Sequence, residues 1–310
     1  MGYTHHHGHH HHIPDTAVLA TKDGIRTVKY SFCILAITAC IQLYIYSISG
    51  SMALLADTIH NVADACTSLP LWVAFLFSHK KPSQRFTYGY GRMEDFAGMI
   101  IVLIIIGSAS AIGYKSIERL INPETIAHIP AVIVAAIIGF IGNEAVARYR
   151  LRTGKRIQSA ALVADGHHAR IDSFTSLAVL IGALGSWINV PALDALVGIG
   201  IVFVLCKIVW SASIEIFSRL LDGTDPAIVK TITQTVGQLQ LIHSVDNVRA
   251  RWIGHRLYAE VDITMNDTFS IAATHAMEHT AESLLKTVLP SLDRVLFHFH
   301  PLLHQKENCV

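Results

Sequence analysis

Charge is scarce in this chain: Asp, Glu, Lys and Arg make up 15% of 310 residues, where a soluble domain carries about a quarter. There is no excess of either sign. Twenty-four basic residues against 23 acidic ones leave a net charge of +1, too little to neutralise phosphates, so a nucleic-acid partner is excluded. Five cysteines (Cys33, Cys40, Cys66, Cys206, Cys309) form no C-x-x-C pair. Four of them lie in apolar runs, where a thiol behaves as a small hydrophobe, so neither a disulfide framework nor a thiolate zinc site is indicated. The N-terminus lacks the apolar stretch and cleavage site of a secretory signal. An H-E-x-x-H helix is missing, as is any Ser or Cys paired with a base, which weighs against an intramembrane metalloenzyme.

What the chain has in abundance is apolar surface. It is 52% hydrophobic with a mean hydropathy of +0.44. Six apolar segments, at roughly 29–49, 53–78, 95–117, 127–147, 159–187 and 192–215, each approach the ~20 residues that span hydrocarbon. Ser-Ile-Ser-Gly at 47–50 and Asn189-Val190-Pro191 read as tight connections within helical hairpins. Positive charge sets the orientation. Lys22, Arg26 and Lys29 precede the first span. Lys80, Lys81, Arg85 and Arg92 fill the second connection, and Arg148, Arg150, Arg152, Lys155 and Arg156 the fourth. The other side has only Lys115 and Arg119, so both termini are expected in the cytoplasm, with the chain in the inner or plasma membrane.

Two of the apolar segments repeat one polar pattern. Asp57-Thr58-Ile59-His60-Asn61-Val62-Ala63-Asp64 and Asp165-Gly166-His167-His168-Ala169-Arg170-Ile171-Asp172 both read D-x-x-H-x-x-x-D. Positions three and four apart share a helix face, so each copy aligns Asp, His and Asp along one stripe. Ionisable groups in hydrocarbon are costly and face a partner, a cavity or an ion path. Two helices each offering imidazole and carboxylate make a four-ligand N/O shell of the kind zinc takes. The alternative, a pair of His–Asp hydrogen bonds that only holds helices together, does not require the same spacing twice.

Soluble character begins near Leu221-Asp222-Gly223-Thr224-Asp225-Pro226. Pro226 suits the first turn of a helix running to about Gln240. Val245–Trp252 and Arg256–Met265 read as strands, Phe269–Leu289 as a helix and Arg294–Phe299 as a last strand. The order α-β-β-α-β predicts a small two-layer, ferredoxin-like cytoplasmic domain. The expected organisation is therefore a His-rich N-terminal segment over 1–27, a six-helix transmembrane domain over 28–220 and a cytoplasmic metal-binding and dimerisation domain over 221–310.

From about residue 28 to 301 the chain resembles the cation diffusion facilitator family, in its zinc type. Ser51-Met52-Ala53-Leu54-Leu55-Ala56-Asp57 leading to His60 looks like the start of that family's second span. Phe86-Thr87-Tyr88-Gly89-Tyr90-Gly91-Arg92-Met93-Glu94 is similar to its Gly-rich turn before the third, and Leu220-Leu221-Asp222 to its exit from the sixth. The resemblance implies His60, Asp64, His168 and Asp172 as ligands of a transported ion, and a homodimer in which each protomer exchanges one metal ion for protons. It implies a further metal site in the tail at positions matching Asp246, Asp262, His275, His298 and His300. At the turn between spans two and three, where some members place ligating His, this chain has Phe86 and Tyr90, so no metal is expected there. Arg92 and Asp222 match positions that form an ion pair near the cytoplasmic hinge.

The exchange is physically coherent, because metal binding needs neutral imidazole and ionised carboxylate, so protons compete with the ion directly. Zn2+ is the expected cargo, and His at position 60 is associated in the family with zinc over manganese. Co2+, Ni2+, Fe2+ and Cd2+ stay open, since affinity order alone does not set selectivity. A membrane metal sensor signalling through its tail shares every ligand and is the rival of a different class.

Several residues keep two readings. Asp57 and Asp165 are either partners of the ligand His or hydrogen-bonding groups near a helix end. His167 points about 100° from His168 and reads as cavity-lining or surface. Asn143 reads first as a helix–helix contact. His298 and His300 are two apart in a strand and face one side, with Phe299 packing inward. Seven imidazoles lie in residues 5–12. They are either a purification tag or a flexible metal-collecting arm; the break at Gly8 and the absence of a protease-site linker favour the arm.

Overall fold

The computed structural model describes residues 16–49, 52–78, 80–121, 129–187, 192–265 and 270–302. Six long helices come first: α1 (Thr16–Ser49), α2 (Met52–Ser78), α3 (Arg92–Ile121), α4 (Ile129–Ile157), α5 (Ala160–Trp187) and α6 (Ala192–Leu220). The shortest has 27 residues and the longest 34. At 1.5 Å per residue all exceed a ~30 Å hydrocarbon layer. Among the described residues, three stretches are apolar enough by composition to cross a membrane: Val18–Ile48, Arg92–Tyr114 and Ile129–Ile157.

Two sequence expectations are corrected. α1 starts at Thr16, more than three turns before the predicted first span. The basic run from Arg148 to Arg156 is no loop, because α4 continues to Ile157 and only Gln158 and Ser159 separate it from α5. Gln158 makes that reversal in the left-handed region, at φ 60°. Small residues then let the two backbones touch: a Cβ on Gly154 would fall 2.9 Å from the Val163 nitrogen, and one on Gly166 2.9 Å from the Leu151 nitrogen. α4 and α5 thus form one closely packed hairpin. α1 packs on α2 and α4, and α3 on α6.

The tail comprises α7 (Pro226–Gly237), β1 (Ile242–Ile253), β2 (Arg256–Met265), α8 (Ile271–Val288) and β3 (Leu292–Pro301), in the order the sequence predicts. Asp225 caps α7 by accepting from the Ala227 nitrogen at 2.8 Å, with Pro226 in the first turn. β1 and β2 form an antiparallel hairpin closed at Gly254 (φ 62°), and β3 joins β2 in parallel after the α8 crossover, giving the order β1-β2-β3. Ile232 and Val236 of α7, Met277 and Leu285 of α8 and the alternate strand residues Leu257, Val261, Ile263 and Phe297 fill one core. Both helices therefore cover one face, and the other face of the sheet stays open.

The β1–β2 turn plugs into the end of the bundle. His255 is 3% exposed; its Nδ1 lies 2.8 Å from a Glu94 carboxylate oxygen and its Nε2 3.3 Å from the Thr21 hydroxyl. Gly254 donates its N–H to Asp95 at 3.0 Å and accepts from Arg219 at 3.2 Å. Arg219 also stacks over Trp252, 4.5 Å from the ring centre. These contacts fix which end of each helix lies on the tail side: the start of α1, α3 and α5 and the end of α2, α4 and α6.

Candidate metal-transport site

The second repeat is buried inside the bundle, in the tail-side half of α5. Asp165, His168 and Asp172 are 0%, 1% and 4% exposed on α5. One turn of helix separates the last two, and His168 Nε2 lies 3.9 Å from Asp172 Oδ2. Two ligand atoms of one tetrahedral zinc stand about 3.3 Å apart, so a small side-chain rotation brings this pair onto one ion. The first repeat lies on α2, but the side chains of Asp57, His60 and Asp64 fall outside the described residues. On α2 the described neighbours Thr58, Asn61 and Ser68 are buried. Asn61 donates to Gln42 of α1 at 2.6 Å, and Gln42 donates to the Ala135 carbonyl of α4 at 3.3 Å. Asn143 is 1% exposed, and among the described residues neither its amide atoms nor the buried Ser173 hydroxyl has a hydrogen-bond partner. The interior around α5 is thus polar, which is how a bundle lines an ion path.

Asp165 has a specific partner, Arg150 of α4. Its Nη1 lies 3.1 Å from Asp165 Oδ2 with both side chains buried, and its Nη2 donates to Ser68 Oγ of α2 at 2.5 Å. Sequence reasoning assigned Arg150 to solvent with its basic neighbours; the only signal for its burial is the i+3/i+4 face it shares with Val146, Ala147 and Gly154 along α4. His167, beside the ligand position, is half-buried.

At the tail side, Arg92 pairs with Asp222 and donates to the Arg219 carbonyl at 2.9 Å. Asp222 follows α6 in the left-handed region at φ 60°, tolerated by a short polar side chain, and that geometry turns its carboxylate toward α3. In the turn before α3, Phe86 and Tyr90 pack ring to ring at 5.0 Å, and the Tyr90 hydroxyl reaches Ser83 at 3.3 Å.

The tail residues divide between two faces. Asp262 is in register with His298, and Thr264 with His300, on the open face of the sheet. The His298 and His300 rings meet edge to face at 4.4 Å, while Phe299 packs toward the core. Asp262 accepts from Asn247 at 3.1 Å, and Asp246 accepts from Thr264 and Ser244 at 2.5 and 2.7 Å. Tyr258 of the same face donates to Asp293; burial first and that bond second push its phenol up to about 12, so it offers no anion. His275 is on α8, away from this group. It meets His279 instead, with the two Nε2 atoms 3.2 Å apart, near the ~3.3 Å edge of a tetrahedral zinc shell, and Glu278 3.4 Å from His275 Nδ1. Among the described residues no three His, Cys, Asp or Glu are gathered as metal ligands. The donor types suit a metal, but the single chain does not assemble the five tail residues into one shell.

A buried imidazole–carboxylate pair in a long-helix bundle, joined to a small α/β tail, defines an ion-handling membrane protein. The chain belongs to the cation efflux family. Residues 28–221 match the cation efflux transmembrane domain and residues 224–302 the cytoplasmic domain of cation efflux proteins. A probable cation efflux system protein of Mycobacterium tuberculosis is 46% identical over 300 residues, covering 97% of this chain and 90% of that one. The manganese efflux system protein MneP of Bacillus subtilis is 24% identical over 82% of this chain and 88% of its own. Among solved structures, a MamM C-terminal domain matches 24% of this chain and 96% of its own, at 13% identity and a TM-score of 0.24, too low to carry an argument. The protein is accordingly a divalent cation efflux transporter with a transmembrane domain and a cytoplasmic tail.

Proposed function

We propose that the chain exports Zn2+ in exchange for protons, using His60, Asp64, His168 and Asp172 as a four-ligand site open alternately to either side of the membrane. The observation that carries this reading is the buried pair of His168 and Asp172, 3.9 Å apart on the helix whose motif α2 repeats. Neutral imidazole and ionised carboxylate bind the ion, and protons arriving from the acidic side displace it. The six long helices are read as six spans with both termini in the cytoplasm, in the inner or plasma membrane. The domains run over 1–27, 28–220 and 221–310. The tail is read as a homodimer contact whose open face, with Asp246, Asp262, His298 and His300, and whose α8 histidine, His275, take metal when a second protomer completes the shells.

Reconstituted protein tested with a panel of divalent ions under an imposed pH gradient decides the cargo. Zinc should drive proton flux most strongly; flux driven by manganese alone, the ion in the name of the Bacillus subtilis relative, removes the zinc reading. His60→Asp should broaden acceptance toward cadmium or manganese, since it replaces nitrogen with a hard oxygen. An unchanged ion preference dismisses His60 as the selectivity residue.

A further inference from the structure

We propose that Arg150 is the gate that shuts the ion site from the cytoplasm, with its hydrogen bond to Ser68 as the latch; this rests on the transport reading above. The tail-side ends of the helices fix the direction. Asp165 precedes His168 by three residues on α5, so it lies about 4.5 Å nearer the tail along the axis. Ser68 follows position 64 of α2 by four residues, about 6 Å nearer the tail. Arg150 bridges these two positions, with all three side chains at 1% exposure or less. A guanidinium therefore fills the space about one turn below the ion site, on the side from which metal must load. It obstructs the path by volume, and its charge, paired with Asp165, holds it there.

The two contacts of Arg150 differ in what breaking them entails. The one to Asp165 lies within the α4–α5 hairpin, whose backbones touch at Gly154 and Gly166. Separating these charges leaves a buried ion uncompensated. The contact to Ser68 crosses from that hairpin to α2 and is a single bond to a neutral hydroxyl. Arg150 thus travels with α5 as part of one unit, and the bond to α2 is the one that opens. The charge pair is incompletely satisfied even when closed: among the described residues Arg150 Nε and Asp165 Oδ1 have no hydrogen-bond partner, while Asp165 Oδ2 is held only by the ion pair at 3.1 Å. Water admitted on opening supplies those partners, which offsets the loss of the latch.

The test uses the full chain with its five native cysteines replaced and His168→Cys as a reporter, labelled by a membrane-impermeant thiol reagent from the tail side. Labelling should be slow with Ser68 present and about tenfold faster or more with Ser68→Ala, as expected for losing a bond to a charged group. The charge-neutral pair Arg150→Gln with Asp165→Asn should accelerate it as well. An unchanged rate in Ser68→Ala overturns the gate. In transport assays with His168 intact, Ser68→Ala should lower the apparent KM for zinc at the tail side and lower the maximal rate, because the closed state is rarer. A merely structural role lowers the rate and leaves KM unmoved, which also overturns the proposal. If the parent protein moves no divalent cation while labelling still depends on Ser68, the transport reading fails and the gate stands.

Discussion

The bundle and the tail are built with opposite polarity. In the tail, Ile232, Val236, Leu257 and Ile263 are inside and His275 and His298 outside. In the bundle, Gln42, Asn61, Asn143, Arg150, Asp165, His168 and Asp172 are inside, while Phe203 and Trp210 are 75% and 71% exposed. Each region covers whatever its own surroundings do not solvate. For the tail the excluded class is hydrocarbon, buried against water at about 25 cal/mol per Å². For the bundle it is polar and ionised groups, which lipid cannot hydrogen-bond. The same residue type therefore means different things in the two halves: an exposed His on the tail is ordinary, and a buried His in the bundle needs a partner or an ion.

The largest expected effect tests that claim at the site. Asp172→Ala should abolish zinc-driven proton flux in proteoliposomes, and Asp64→Ala should do the same, because each removes one of the four proposed ligands. The tail, which shares no residue with the site, should keep its melting temperature. Near-normal flux in either purified variant ends the ligand assignment.

A second comparison places one charge on the outside of each region. Phe203→Asp puts a carboxylate on the outer surface of α6 and should impair membrane insertion by about 2.5–3.5 kcal/mol at mid-span. Ile271, 91% exposed at the first position of α8, should accept Ile271→Asp within about 0.5 kcal/mol. An acidic group there even complements the helix dipole. Equal stability losses in the two variants, measured by thermal unfolding in detergent, would contradict opposite polarity.

Much of this architecture was legible in the chain. The helices that carry the repeat and the α-β-β-α-β tail follow from periodicity, which is local, while the connections expected at Gly50 and at Asn189–Pro191 lie outside the described residues. What escaped depends on distant partners. Arg150 was grouped with Arg148 and Arg152 because a charge count treats every Arg as solvated, yet α4 continues through the group and buries one member against Asp165. Nothing near His255 in the sequence marks it, and its role is set by Glu94, 161 residues earlier. His279 sits four residues after His275 on α8, and their Nε2 atoms approach to 3.2 Å. The Glu94–His255 contact lies beyond any local window of sequence, whereas the spacing of four between His275 and His279 already puts that pair on one helix face.

Within the tail the comparison sharpens to its two faces. His298→Ala with His300→Ala removes imidazoles from the open face and leaves the covered core intact. Zinc at 100 times its dissociation constant adds about 2.7 kcal/mol to a site that binds only the folded form. That is a rise of roughly ten degrees or more in a domain this size. The double variant should lose most of the zinc-dependent rise while melting normally in chelator. A retained rise shifts the tail site to His275 and His279.

The smallest effect concerns a segment that belongs to neither region. Residues 5–12 hold seven imidazoles, and residues 1–12 lie outside the described ones. On a tethered arm, weak zinc binding raises the ion's effective concentration at the cytoplasmic mouth without supplying a transport ligand. Deleting residues 1–12 should therefore raise the apparent KM for zinc a few-fold and leave the maximal rate unchanged, because the proposed ligands and the Arg150 contact are untouched. Raising bulk zinc should erase the difference, since saturation makes local enrichment irrelevant. Loss of transport at every zinc concentration would place the arm within the path itself. An unchanged KM would identify the tract as a tag and leave ion capture to the bundle and tail alone.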